Sequence, residues 1–385
     1  MTSAGCGSPP HPRQQTATRS ATATASTAAT TSSATQTAAP SPPALPAPAG
    51  ITFGLNVNRL FNDGTYTAAE IGTQLSAVRA TGVTLARSDA LWELSEPQPP
   101  VRGVHTYDWG FDDRIAGDLA AHDLTWLPII DYAARWTVPP GAGHGPPNSD
   151  TDYAAFAAAV ARRYGPGGAF WAAHPELTAH PVGTVEIWNE PDNRQFWDGG
   201  SDPAAYAAMY IAARDAVAAA VPGTRVLIGG LTDPPATLTG MLRAHPELAG
   251  HVDGVAVHPY ALPLQMMAKL REDRAVMTAL GLGSVPLYVT EFGWVTHPRG
   301  ALGWVPPDSR AQDIRTALTA LGHTDCGISA VIYYTWITPE RNPADREDWF
   351  GLQPPGGGPG PDKSAFVAGL RAAQAPGPTL HLCGR

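Results

Sequence analysis

VEIWNEPDN (residues 185–193) begins as a buried strand and ends as something else. Val185, Ile187 and Trp188 are apolar, and Asn189, Glu190 and Pro191 follow at once. A carboxylate at the tip of an apolar strand is costly unless something neutralises or uses it. The same pattern recurs along the chain. VTLARSD (83–89) closes on Arg87 and Asp89, and LTWLPII (124–130) runs straight into Asp131. DGVAVHPY (253–260) ends in His258 and Tyr260, PLYVTEF (286–292) carries Glu291, and ISAVIYYTW (328–336) ends in Trp336. Packing alone gives an apolar strand no reason to end this way six times over.

With ITFGLNVN (51–58) and RVLIGGL (225–231) the candidate strands number eight. Between them run stretches such as AAEIGTQLSAVRATG, DYAAFAAAVARRYG, PAAYAAMYIAARDAVAAA and RAQDIRTALTALG, with apolar residues at three- and four-residue steps. KSAFVAGLRAAQ (363–374) adds a helix after the last strand. Eight alternating pairs predict an α/β protein of the (β/α)8 TIM barrel type, a single domain over residues 51–385. A doubly wound open sheet would want a glycine-rich first turn, and none follows ITFGLNVN. In a barrel, chemistry belongs at the C-terminal ends of the strands, where these polar residues sit.

The first 50 residues differ in kind, with 38 of them Ser, Thr, Ala or Pro. Such a segment buries too little apolar surface to offset its ordering entropy and is expected to be a disordered tether. The net charge of −9 argues against nucleic acid as a partner, and no run is long and apolar enough for a transmembrane span. Ser3-Ala4-Gly5-Cys6 resembles the end of a bacterial lipoprotein cleavage box, though the apolar run that should precede it is missing. On that reading Cys6 carries a lipid anchor and the protein, a monomer, works outside the cell or at its surface. Cys326 and Cys383 are expected to form a disulfide pinning the C-terminal tail, two free buried thiols being the alternative.

Glu190 and Glu291, each at a strand tip, carry the chemistry. Two carboxylates at one mouth should titrate apart, one acting as an acid and the other as a nucleophile. That division of labour suits hydrolysis of a glycosidic bond. No HExxH, CxxC, P-loop or GxSxG elbow is present, and His245, His251 and His258 lack a ligand spacing, so no metal or organic cofactor is expected.

IWNEP and VTEFGW, with HPY and YYTW between and after them, resemble clan A of the glycoside hydrolases. EIWNEPDNRQFW (186–197), VPLYVTEFGW (285–294) and DWFGLQPPGGGPGPDKSAF (348–366) are most similar to the family 39 group. The resemblance implies a retaining enzyme that cleaves β-glycosidic bonds of a carbohydrate substrate. Glu190 would be the acid/base and Glu291 the nucleophile, with their carboxyl groups about 5–5.5 Å apart. Asn189 would bond the sugar 2-hydroxyl, and Arg87 would orient Glu291, itself competing with a partnership to Glu186. Tyr260 and His258 would touch the nucleophile or the sugar. Trp336 would be the sugar platform, ahead of a non-proline cis peptide. Asp131 and Trp294 join the candidate substrate contacts, Asp89 and Asp131 having helix capping as their duller role. Of the loop tryptophans 92, 136, 197, 294 and 304, two or three are expected to line subsites. Family 39 enzymes typically add a β-sandwich, for which this chain has no residues, so an endo-acting or polysaccharide-trimming enzyme fits at least as well as the exo-acting β-xylosidase found there. A transglycosidase with the same first step and a non-catalytic carbohydrate-binding barrel remain the rival readings.

Overall fold

The computed structural model describes residues 50–384. The expected tether and Cys6 lie outside the described residues. Eight parallel strands close into a barrel in chain order: β1 (Thr52–Asn56), β2 (Leu85–Leu91), β3 (Thr125–Asp131), β4 (Thr184–Asn189), β5 (Arg225–Leu231), β6 (Gly254–Val257), β7 (Leu287–Val289) and β8 (Ile328–Tyr333). β8 returns to pair with β1, Phe53 opposite Val331. The open-sheet alternative is thereby excluded.

The helices that cover the barrel start where their sequences say they should. Thr67 and Glu70 form a reciprocal capping box at the head of helix Ala68–Arg79. Asp202 and Asp233 accept hydrogen bonds from Ala205 and Ala236 at two later caps. Helices Pro203–Ala220, Pro234–Ala244, Pro263–Ala279, Pro307–His323 and Pro361–Gln374 all open on proline, whose missing N–H and fixed φ suit the first turn. None of the described helices is long and apolar enough to cross a membrane.

Inside the barrel, Leu85, Leu227, Ala256, Tyr288 and Ala330 pack into a plug toward the strands' N-terminal ends. Alternation from that plug points Arg87 and Asp89 of β2 and Glu186 of β4 inward, one step higher at a time. The plug therefore supplies a floor, and the charged residues stand on it.

The C-terminal tail is tied to the opposite end. Leu380 donates its N–H to the carbonyl of His323 at 2.8 Å, and Leu382 donates to Asp325 Oδ1 at 2.8 Å. Cys326 and Cys383 are joined by a disulfide across 57 residues, their Cα atoms 5.0 Å apart. On the chain-entropy estimate a loop of this length stabilises by about 4 kcal/mol. Cys383→Ser should therefore lower the unfolding free energy in urea by about that amount. Reductant should do the same to the parent protein and nothing to the variant; an unchanged midpoint in the variant would remove this role.

Candidate active site

Arg87 organises the mouth. Its Nε donates to Glu186 Oε2 at 2.8 Å and its Nη2 to Glu186 Oε1 at 3.0 Å, a bidentate pair buried to completion. Nη2 also reaches Asn189 Oδ1 at 3.1 Å, and Nη1 donates to Glu291 Oε1. The two partnerships foreseen for Arg87 thus coexist. Glu186, an acid in the barrel interior, further accepts the N–H of Gly230 at 2.9 Å and the hydroxyl of Thr290 at 3.2 Å. With these donors it is a satisfied buried ion.

Strand β4 reaches the mouth through a break in its alternation. Trp188 has φ of 68° and Glu190 has φ of 47°, left-handed values for non-glycine residues. The break turns the Trp188 ring out against Tyr153 and Trp197 and leaves Asn189 facing Arg87. Glu190 is therefore not the extended residue that a following proline favours. Its Oε2 accepts from Asn193 Nδ2 at 2.6 Å, and its Oε1 lies 2.8 Å from His258 Nδ1. A Cβ on Gly230 would overlap the His258 ring, so glycine on β5 is what makes room for that imidazole beside the strand.

Glu291, just past β7, receives Arg87 on one oxygen and the Tyr260 hydroxyl on the other, at 2.7 Å. Contact with this carboxylate adds to burial in pushing the Tyr260 phenol well above its ordinary pKa, so it stays a donor. One oxygen each of Glu190 and Glu291 lie within 4.8 Å of one another and of a His258 ring nitrogen. Among these atoms Glu190 Oε1, Glu291 Oε2 and His258 Nδ1 already have hydrogen-bonding partners in the protein.

The carboxylates open onto a cavity of about 140 Å³ walled by Asn58, Asp89, Tyr132, Phe196, Tyr260, Tyr334 and Glu347. Burial is the main reason the Asp89 carboxyl is pushed up to about 6, although Arg87 and a hydrogen bond from Asn62 pull it the other way. A larger space of about 380 Å³ lies at the opposite end, walled by Thr52, Thr84, Thr125, Trp126, Arg225 and Tyr288 among others. No carboxylate lines it; the paired carboxylates belong to the smaller one.

Three expected contacts are corrected. Trp336 is fully buried, its indole donating to Gln74 of helix Ala68–Arg79 at 2.9 Å. β8 ends at Tyr333, and Tyr334 stands in the wall instead; the non-proline cis bond lies at Tyr334–Thr335 rather than after Trp336. Trp294 is also buried, donating to the carbonyl of Ala261 at 3.0 Å while packing on Phe292 and Tyr333. Asp131 lies beneath the wall, 1% exposed, with neither oxygen hydrogen-bonded and with burial beside Asp89 pushing its pKa well up. It caps no helix, and Tyr132 takes the position in the wall. No tryptophan lines the cavity. The aromatic wall was signalled only by neighbours of quoted motifs: Tyr132 after Asp131, Phe196 in DNRQFW and Tyr334 in YYTW.

No protein-family model matches the sequence, and no curated protein matches it. Solved structures do. A monomeric β-xylosidase from Caulobacter crescentus CB15 superposes with a TM-score of 0.63 at 19% identity, over 84% of this chain and 69% of that one. A family 39 glycoside hydrolase from the gut symbiont Bacteroides cellulosilyticus WH2 gives 0.62 at 19% identity, over 84% of this chain and 64% of its own. An exo-β-1,4-mannosidase from Opitutaceae bacterium strain TAV5 gives 0.61 at 17% identity, over 85% and 61%. The chain spans about two thirds of the length of these proteins. The resemblance is one of fold, and the fold is that of family 39 and family 5 glycoside hydrolases.

Asp89 makes a testable contribution to stability. A carboxyl whose folded pKa exceeds its unfolded value favours the folded state below the unfolded value and loses that contribution as pH rises through the folded one. From an ordinary value of 3.8 to about 6, the window is pH 4 to 6 and the loss up to about 3 kcal/mol. Asp89→Asn should flatten the decline of urea-unfolding free energy across this window; a parallel profile in the variant would contradict the assignment.

Proposed function

We propose that this protein is a retaining glycosidase that hydrolyses β-glycosidic bonds by double displacement. The observation that carries the reading is the pair of carboxylates within 4.8 Å of one another over a single cavity, in unlike surroundings. That spacing favours direct attack by one carboxylate over attack by an interposed water. Glu291, held by Arg87 and Tyr260, is the nucleophile: one cation and one hydroxyl donor, each on its own oxygen, hold it in place and aim it. Glu190, against His258 and Asn193, is the acid/base. In the first step Glu291 attacks the anomeric carbon as Glu190 protonates the departing oxygen. In the second, Glu190 takes a proton from water, whose oxygen displaces Glu291.

Asn189, fixed by Arg87, supplies a polar edge beside the nucleophile for the sugar 2-hydroxyl. Tyr334, Tyr132 and Phe196 supply the apolar faces against which a sugar ring stacks. The small cavity and the xyloside- and mannoside-cleaving neighbours point to one sugar residue on the non-reducing side. Asp89 and Glu347 add acids to the wall, and Arg346 is the one cation among the wall residues. Such a wall disfavours sugars that carry a carboxylate or sulfate.

A 2-deoxy-2-fluoro aryl glycoside from a panel of β-xyloside, β-glucoside, β-mannoside and β-galactoside should trap the glycosyl-enzyme. Intact mass should rise by one sugar, and the labelled peptide should contain Glu291. Glu190→Ala should slow hydrolysis of unactivated glycosides by about 10²–10⁴-fold, and β-glucuronides should be poorer substrates than β-glucosides. Neither turnover nor labelling anywhere in the panel, with sugar binding in affinity electrophoresis, would make the carbohydrate-binding reading the better one.

A further inference from the structure

A buried hydroxyl that bonds to neither Glu190 nor Glu291 decides where a proton sits. Thr290, completely buried between Val289 and Glu291, places Oγ1 at 3.2 Å from both Glu186 Oε1 and His258 Nε2. A hydroxyl has one proton to give. Glu186 is bidentate to Arg87 and can only accept, so that proton goes to Glu186. The Nε2 of His258 must then be the donor to Thr290, because two lone pairs facing each other in a closed interior would be repulsive. With Nε2 protonated, the Nδ1 atom facing Glu190 Oε1 has a lone pair for one further proton.

We propose that Thr290 is a positioning residue that fixes the tautomer of His258, so that His258 Nδ1 and Glu190 Oε1 share the proton that the acid/base delivers. The inference rests on the glycosidase reading. The proton lies in the Nδ1···Oε1 contact at rest. It passes from Glu190 to the departing oxygen as the glycosidic bond breaks and the Glu291–carbon bond forms. The attacking water then returns a proton to Glu190 as its oxygen bonds to the anomeric carbon and Glu291 leaves. No other co-reactant is needed.

The groups around the ring support this placement. From β4 the imidazole faces Glu190 directly and Glu186 through Thr290; from beyond β7 it faces Glu291, 3.6 Å from Nδ1. β2 contributes Arg87, β5 presents the backbone of Gly230, and Tyr260 stands edge-on beyond β6. Burial works against a charged imidazole, and the negative charges of Glu291 and Glu190 outweigh it and raise its pKa. The shared proton is thereby retained toward neutral pH.

The test is Thr290→Val, with Thr290→Ser as the control that keeps the hydroxyl. Valine leaves Nε2 without an acceptor, so the imidazole proton moves to Nδ1, and Glu190 becomes a poorer acid. The alkaline limb of kcat/KM should move down by about one pH unit. Glycosides with poor leaving groups should lose about tenfold or more, while activated aryl glycosides, which need no acid, lose little. Serine should restore both. A profile that superposes on the parent, or equal loss on both substrate types, would overturn the proposal. Nitrogen-15 NMR of the parent imidazoles, with His258→Gln to assign the signal, reads the tautomer without any turnover. A His258 protonated only on Nδ1 at neutral pH would overturn the proposal even in an active enzyme. A parent with Nε2–H but no glycosidase activity would instead count against the function.

Discussion

Arg87 reaches Glu186, Asn189 and Glu291 from one buried guanidinium, and the rest of the mouth is arranged around what that requires. Burying a guanidinium and two carboxylates costs several kcal/mol for each ion before any attraction is counted. The cost is offset only if the geometry is tight and every remaining lone pair is met. Glu186 is the structural half of that settlement: Gly230 N–H and the Thr290 hydroxyl complete its coordination from β5 and the end of β7. With the guanidinium plane fixed by Glu186, its remaining N–H groups are fixed in direction too. They point at Asn189 and Glu291, so a stability contact deep in the barrel orients both residues at its surface.

Strained backbone on β4 depends on the layer outside it. A left-handed non-glycine residue costs on the order of 1–3 kcal/mol, and Trp188 and Glu190 both adopt that conformation. The clamps are specific. The Trp188 indole donates to the carbonyl of Phe196 at 2.7 Å, and Tyr206 on helix Pro203–Ala220 donates to the carbonyl of Ile187 at 2.7 Å. The same Tyr206 hydroxyl accepts the N–H of Gly229 at 2.7 Å, which couples the strained strand to the glycine pair of β5. Those glycines admit the carbonyls of β4 on one side and the His258 ring on the other. The Glu190 carboxylate is therefore held from behind by a helix and from the side by missing side chains.

How much of this was legible depended on whether alternation along a strand still held at the residue concerned. It holds for Arg87, Asp89 and Glu186, which continue the inward parity of the plug, and these were readable as interior. The strand tips were readable as one mouth because a polar end on an apolar strand has no packing explanation. Beyond the last paired residue the rule stops. Trp336 shares its parity with Tyr334, yet β8 ends at Tyr333 and the two rings go to opposite sides of the barrel wall. Asp131 follows the inward parity but is overlaid by Tyr132, a matter of depth that no spacing encodes. Counting from Tyr288 points Thr290 inward as well, but nothing in the sequence distinguishes a hydroxyl that bonds a buried ion pair from one that merely fills space.

The same crowding explains why protons, rather than charges, are what this mouth distributes. Asp89, Asp131, Glu186, Glu190 and Glu291 crowd around a single guanidinium, and a barrel interior cannot hold five ionised acids against one cation. Glu186 and Glu291 take the guanidinium, because they alone bond to it through carboxylate oxygens. Asp131, with no donor to stabilise a charge, keeps its proton, and Asp89 gives its own up only near pH 6. Glu190 is left with an imidazole as its partner instead of a cation of fixed charge. Of the five it alone is hydrogen-bonded to an imidazole, a group that can both hold a proton and release it, which is the condition an acid must meet if it is to become a base in the next step.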